Sequence, residues 1–182
     1  LAERRECERG SDEALAGLPH RICFAVNAYS TLAVLRILRD LGAGADIVSG
    51  GELSRVLAAG FEPSSIVFSG VGKSPGELRA GVLAGLGHLN VESREELDRL
   101  VAIAADECRP VSVGIRVNPD VTTETHPYIS TGKSGIKFGV PTDQVAGAAS
   151  LIAAHPRLEL TTLAMHLGSQ LVDTAPFQQG IA

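Results

Sequence analysis

The sequence predicts an α/β protein whose parallel strands form part of a (β/α)8 TIM barrel. Three observations lead there. Strand-length apolar runs alternate with amphipathic helical stretches in units of roughly 20–25 residues, the scale of repeated βα modules. The runs are nearly continuous in apolar residues, as parallel strands covered on both faces require. No Gly-x-Gly-x-x-Gly fingerprint opens a helix, which weighs against an open doubly wound sheet.

Each element follows from local pattern. Ala2 to Leu18 is polar, rich in Glu and Arg, and reads as a surface helix ended by Pro19. Ile22 to Val26 is the first strand, and the spacing of Leu32, Val34, Leu35, Ile37, Leu38 and Leu41 predicts the first amphipathic helix. The same order recurs with Ala45 to Val48 before Leu53 to Ala59, Ile66 to Phe68 before Glu77 to Ala84, and Leu89 to Val91 before Glu95 to Ala105. A fifth strand, Val111 to Val117, leads into a long polar loop from Asn118 to Lys137, of the kind compact domains keep for function or leave disordered. Gln144 to Ala154 is then a helix and Leu160 to Leu167 a sixth strand. A complete barrel of this type takes about 250 residues, so 182 residues and six units predict an incomplete one.

Three helix starts share one signal. Ser49-Gly50-Gly51-Glu52, Ser74-Pro75-Gly76-Glu77 and Ser93-Arg94-Glu95-Glu96 all read S-x-x-E. In such a capping box the Ser oxygen accepts an otherwise unpaired helix N–H and the Glu reaches back to the N–H of the Ser. Pro75 sits at a first helical position, where its missing N–H costs nothing.

Composition excludes several classes. The chain is 45% hydrophobic and 20% charged with a net charge of -5, which describes a soluble, mildly acidic globular protein. Basic residues are scattered and aromatics amount to 4%, so no nucleic-acid partner is expected. No apolar run approaches the roughly 20 residues that span a bilayer, and no membrane association is expected. Cys7, Cys23 and Cys108 are odd in number and lack CxxC spacing, which implies no structural metal and a reducing, cytoplasmic setting.

In a barrel, ligand and catalytic groups gather at the C-terminal ends of the strands. That rule nominates Asn27, Asp46, Ser49, Gly70, Glu92, Arg116, Asn118, His166 and Ser169. Gly70-Val71-Gly72-Lys73-Ser74 mimics the tail of a phosphate-binding P-loop, but the position where that loop needs its first Gly holds Val67.

Several words in order resemble diaminopimelate decarboxylase, a member of the alanine-racemase-like group of pyridoxal-phosphate-dependent decarboxylases. They are Gly44-Ala45-Asp46-Ile47-Val48-Ser49-Gly50-Gly51-Glu52-Leu53, Ile66-Val67-Phe68-Ser69-Gly70-Val71-Gly72-Lys73, Asn90-Val91-Glu92-Ser93 and Arg116-Val117-Asn118-Pro119. Further on come Thr125-His126-Pro127-Tyr128-Ile129-Ser130-Thr131-Gly132, Lys137-Phe138-Gly139 and His166-Leu167-Gly168-Ser169-Gln170. The resemblance runs from Leu18 to the end of the chain. It implies a barrel of the pyridoxal-phosphate-binding type over residues 1–182, an amino-acid substrate, conversion of meso-diaminopimelate to lysine and carbon dioxide, and a homodimer. It also implies roles: His166 stacks on the cofactor ring, Gly168 and Ser169 hold the phosphate, and Asp46 and Arg116 form a charged pair lining the site. Glu92 has a less defined place in that pattern.

The family's cofactor lysine lies in a word like Tyr-Ala-Val-Lys-Ala-Asn. Here it reads Phe24-Ala25-Val26-Asn27-Ala28-Tyr29. The lysine amine forms an imine with the cofactor and later handles protons at the reacting carbon. An amide nitrogen is neither nucleophilic nor basic, and losing general acid–base help alone costs ~10²–10⁴-fold. The three lysines present, Lys73, Lys133 and Lys137, fall outside that word. The expected chain is therefore inactive. Its family also carries a Gly-rich phosphate loop, an acidic partner of the ring nitrogen and a C-terminal β domain, all expected beyond residue 182, so the sequence reads as about half an enzyme.

Plainer readings stand beside these. Asp46 can hydrogen-bond nearby backbone, and Arg116, amid apolar neighbours, needs a partner that Asp46 can supply. His20, His88 and His155 read as surface or packing residues. At the level of function, the alternatives are a non-catalytic homologue that binds cofactor or a partner, and a decarboxylase of the same fold acting on arginine or ornithine.

Overall fold

A computed structural model describes residues 10, 12–119, 138–168 and 173–181. Residues 1–9 and 11 of the helix expected over Ala2 to Leu18, and most of the loop from Asn118 to Lys137, lie outside the described residues; residues 12–14 are helical, and a turn follows. Strand and helix then alternate as expected: β1 (Cys23–Ala25), α1 (Leu32–Asp40), β2 (Gly44–Ile47), α2 (Gly50–Ala59), β3 (Ile66–Phe68), α3 (Pro75–Ala84), β4 (His88–Val91), α4 (Arg94–Glu107), β5 (Val111–Asn118), β6 (Val140–Pro141), α5 (Thr142–Ala154), β7 (Leu158–Ala164) and α6 (Ala175–Ile181).

Every strand pairing is parallel, and β1, β2, β3, β4, β5 and β7 follow one another across the sheet in chain order. A doubly wound sheet would reverse direction at a switch point. No reversal occurs among the described strands, and the sheet is an arc of a (β/α) barrel. Two elements were not expected from sequence. The short β6 pairs with the end of β5 through Val117 and Val140, and α6 follows β7. The last long strand also runs Leu158–Ala164, not Leu160 to Leu167, so His166 stands beyond the strand and not on it.

Parallel register sorts side chains between two faces. Ala45 pairs with Ile66, Ile47 with Phe68, Leu89 with Val113 and Val91 with Ile115; all are buried on the helix-covered outer face. Leu35, Leu53, Val56, Leu78, Val82, Leu97, Leu100 and Ile152 meet them from the helices. Full burial of each such side chain is worth ~1.5–3 kcal/mol. The expectation that all strands are covered on both faces fails at β7. Leu163, paired with Ile115 on the outer side, is 64% exposed.

All three capping serines accept the predicted helix N–H: Ser49 from Glu52, Ser74 from Glu77 and Ser93 from Glu96. The reciprocal half closes as expected only at Ser74, where the Glu77 carboxylate takes the Ser74 N–H at 3.0 Å. Glu52 and Glu96 reach one residue further back, to the N–H groups of Val48 and Glu92 at 2.8 and 2.9 Å. Both glutamates follow a strand directly, so the extended residue before the cap presents the open donor. Glu77 also accepts the Gly50 N–H at 2.8 Å and so joins the N-termini of α2 and α3.

Candidate functional site

On the inner face the register brings polar side chains together. Asp46 pairs with Val67, Val67 with His88, and Asn90 with Gly114, so Asp46, His88 and Asn90 share the face opposite the helices. Ser69 and Arg116 follow by the two-residue period of a strand. The Asn90 amide donates to the Ser69 hydroxyl at 3.1 Å. Its carbonyl oxygen leans over β5 at Gly114, where a Cβ would collide with it. Glycine at 114 is thus the condition for the Asn90 conformation.

The charged centre is Arg116. Its Nη1 donates to Glu92 Oε2 at 2.6 Å, and its guanidinium lies 5.8 Å from the centre of the Phe138 ring. The ion pair expected with Asp46 is therefore made with Glu92, which is 5% exposed. Asp46 is near enough to feel the pair. Burial raises its carboxyl above the ordinary 3.8, opposed by the Ser69 hydroxyl, His88 and Arg116 and reinforced by Glu92. Burial likewise lowers His88 below 6.5, with Asp46 opposing and Arg21 adding to the shift. His88, read from sequence as surface or packing, is a half-buried member of this inner face.

Asn27 lies in a 3-10 turn, Val26–Ala28, that follows β1 directly, and it is exposed. Ala25 pairs with Asp46, so Asn27 sits at the same end of the sheet as the charged groups. His166 is exposed beyond the end of β7, whose Ala164 pairs with Arg116, and belongs to that end too. Gly168 has φ 143°, a left-handed value that glycine adopts without strain. Ser169 lies outside the described residues, as do Lys133 and Lys137.

Lys73 is held by its partners. It is 2% exposed, and its ammonium donates to the carbonyls of Gly70 and Asn90, each at 2.7 Å, and to the Glu96 carboxylate at 3.1 Å. Sequence reasoning missed Lys73, Ser69, Asn90 and Glu96 as parts of this region. The strict alternation His88-Leu89-Asn90-Val91-Glu92 carried a signal for the strand, since three polar residues at period two share one face.

Three inward acceptors, Asp46 Oδ1, Asn90 Oδ1 and Glu92 Oε1, are buried with no hydrogen-bond partner. Each such atom costs ~1–3 kcal/mol, so this inner face is short of donors. An acceptor-rich cradle beside a guanidinium suits a polar, anionic ligand that brings its own N–H or O–H groups. Asn27 itself offers no amine for a covalent link.

Polar groups gathered at the C-terminal ends of parallel barrel strands place the chain among ligand-binding α/β barrels. The chain belongs to the pyridoxal-dependent decarboxylases, whose pyridoxal-binding domain matches residues 4–182. It is 50% identical over 169 residues to diaminopimelate decarboxylase of Pseudomonas aeruginosa, covering 93% of this chain and 41% of that protein. Identity to the Vibrio cholerae enzyme of the same name is 46% over 166 residues, covering 91% and 40%. Among solved structures, diaminopimelate decarboxylase of Helicobacter pylori in complex with L-lysine superposes with a TM-score of 0.91 at 39% identity, covering 97% of this chain and 45% of that one. The chain spans about two fifths of the length of the curated relatives it matches. No helix among the described residues is long and apolar enough to cross a membrane.

Proposed function

We propose that residues 1–182 form the incomplete barrel domain of a diaminopimelate decarboxylase homologue that holds pyridoxal phosphate without a covalent anchor and does not itself release carbon dioxide. The observation that carries this reading is Asn27 at the family's lysine position beside an inner face that keeps Asp46, Glu92 and Arg116. Asp46 and Arg116 would line the cofactor, His166 would stack on its ring, and Gly168 and Ser169 would hold its phosphate. Bound pyridoxal phosphate supplies an electron sink to the bond being broken. The chain's own residues orient and bind; the amine that takes and returns protons is missing. The preferred ligand class is an amino acid of the diaminopimelate type, the setting is cytoplasmic, and the assembled protein is a homodimer.

The test is Asn27→Lys in the full reading frame that contains these residues. The expected result is pyridoxal phosphate retained through borohydride reduction and carbon dioxide released from meso-diaminopimelate, with neither seen for the parent. Reversible, saturable binding of pyridoxal phosphate by the parent supports the non-covalent cradle. Failure of the Asn27→Lys protein to retain the cofactor overturns the reading.

A further inference from the structure

We propose that Lys73 is a positioning residue: from behind the sheet it sets Glu92, and through Glu92 the Arg116 guanidinium, at the mouth of the barrel. The inference deepens the function proposed above and rests on Arg116 facing the cofactor.

The contacts form one continuous path. β3 and β4 pair at Val67 with His88 and at Phe68 with Leu89, and the register between them goes no further. Gly70, just beyond β3, has φ 94°, outside the extended range of a strand. The Asn90 carbonyl, just past the last pair, therefore needs a donor from elsewhere. Lys73 supplies it at 2.7 Å while also holding the Gly70 carbonyl at 2.7 Å. Its remaining reach goes to the Glu96 carboxylate, 3.1 and 3.2 Å from the two oxygens. An ammonium has three donors and no acceptor, which suits this triangle of oxygens.

Glu96 carries the effect onward. Its Oε2 also accepts the Glu92 N–H at 2.9 Å, so the same carboxylate fixes the backbone from which the Glu92 side chain leaves. Glu92 then turns to the inner face and takes Arg116 Nη1 at 2.6 Å. Lys73 lies 5.7 Å from the centre of the outward-facing Phe68 ring, and its hydrogen-bond partners are two backbone carbonyls and Glu96, none of them an inner-face side chain. Removing the ammonium leaves Glu96 buried beside carbonyl oxygens, and the carboxylate must move away from them. The Glu92 N–H then loses its fixed partner, and the guanidinium loses its fixed acceptor.

The experiment is a double-mutant cycle in the full reading frame, with pyridoxal phosphate as the probe and the Arg116 guanidinium NMR resonance as a second readout. Lys73→Met is expected to weaken pyridoxal phosphate binding by roughly tenfold in the parent but not further in an Arg116→Gln background. It is also expected to shift the Arg116 resonance. A core variant far from the path, Leu35→Ala, should change neither. Glu96→Asp, one methylene too short to reach both Lys73 and the Glu92 N–H, carries the same test if Lys73→Met does not fold. Additive losses in the cycle, or an unmoved Arg116 resonance, overturn the inference. If the parent binds no pyridoxal phosphate, the proposed function fails, and the Arg116 resonance alone decides for or against the role of Lys73.

Discussion

Arg116 donates to Glu92 at 2.6 Å across neighbouring strands β4 and β5, and the carboxylate that receives it is almost wholly out of water. Removing one member of such a pair leaves a buried charge without compensation. Arg116→Met is expected to cost about 3 kcal/mol of stability, whereas Glu92→Gln, which keeps an acceptor, costs about 1 kcal/mol. Urea unfolding of the two variants decides it. A loss for Arg116→Met under about 1 kcal/mol, typical of exposed pairs, contradicts the burial of Glu92.

Asp46 adds a pH dependence of the less common sign for a carboxylate. Burial raises its native value above 3.8, so between 3.8 and that value the folded chain holds a proton that the unfolded chain has released. Its contribution to stability is therefore complete below 3.8 and is lost as pH rises through the native value. Asp46→Asn is expected to be more stable than the parent at neutral pH. The difference between the two should shrink as pH falls toward 3.8, read by denaturant midpoints across the range. A difference that does not change with pH contradicts the assignment.

Gly114 and Asn90 are coupled by space. A Cβ at Gly114 meets the Asn90 side-chain oxygen, so Gly114→Ala is expected to destabilise by about 1–3 kcal/mol. Asn90→Ala removes the obstacle. The double variant should then lose less than the sum of the single losses, which a thermal-unfolding cycle measures directly. Strict additivity would mean that the two side chains do not meet.

Glu77 accepts N–H groups at the start of two helices, from Gly50 and from Ser74, and the Ser74 hydroxyl besides. Glu77→Ala is expected to cost about 1–2 kcal/mol through those unpaired donors. These same hydrogen bonds, that from Gly50 first, hold the carboxyl below its ordinary 4.5. The stabilisation is therefore present above 4.5 and is lost as pH falls below it, so parent and variant should converge in acid. Hydrogen exchange should locate the loss in the first turns of both α2 and α3.

Much of this protein was legible in the sequence alone. Apolar period and length were enough for the order of the longer strands and helices, though not for the short β6 and α6, because only an element of several residues declares itself locally. The serines at 49, 74 and 93 marked helix starts for the same local reason: a cap acts over three positions. The words around Asp46, Arg116 and His166 carried the family, and Asn27 stood out against it.

Tertiary structure decided which of those residues meet. Asp46 on β2 and Arg116 on β5 are separated by β3 and β4, whereas Glu92 lies at the end of the strand beside Arg116, so the guanidinium pairs with Glu92. Register between parallel strands is set across whole helical crossovers by burial of the outer face, and no local pattern states it. The fate of Lys73 was decided the same way. Its three partners come from a turn, a strand end and a helix, joined only when β3, β4 and α4 pack, and that packing turns a lysine that local sequence leaves available into one whose every donor is spent.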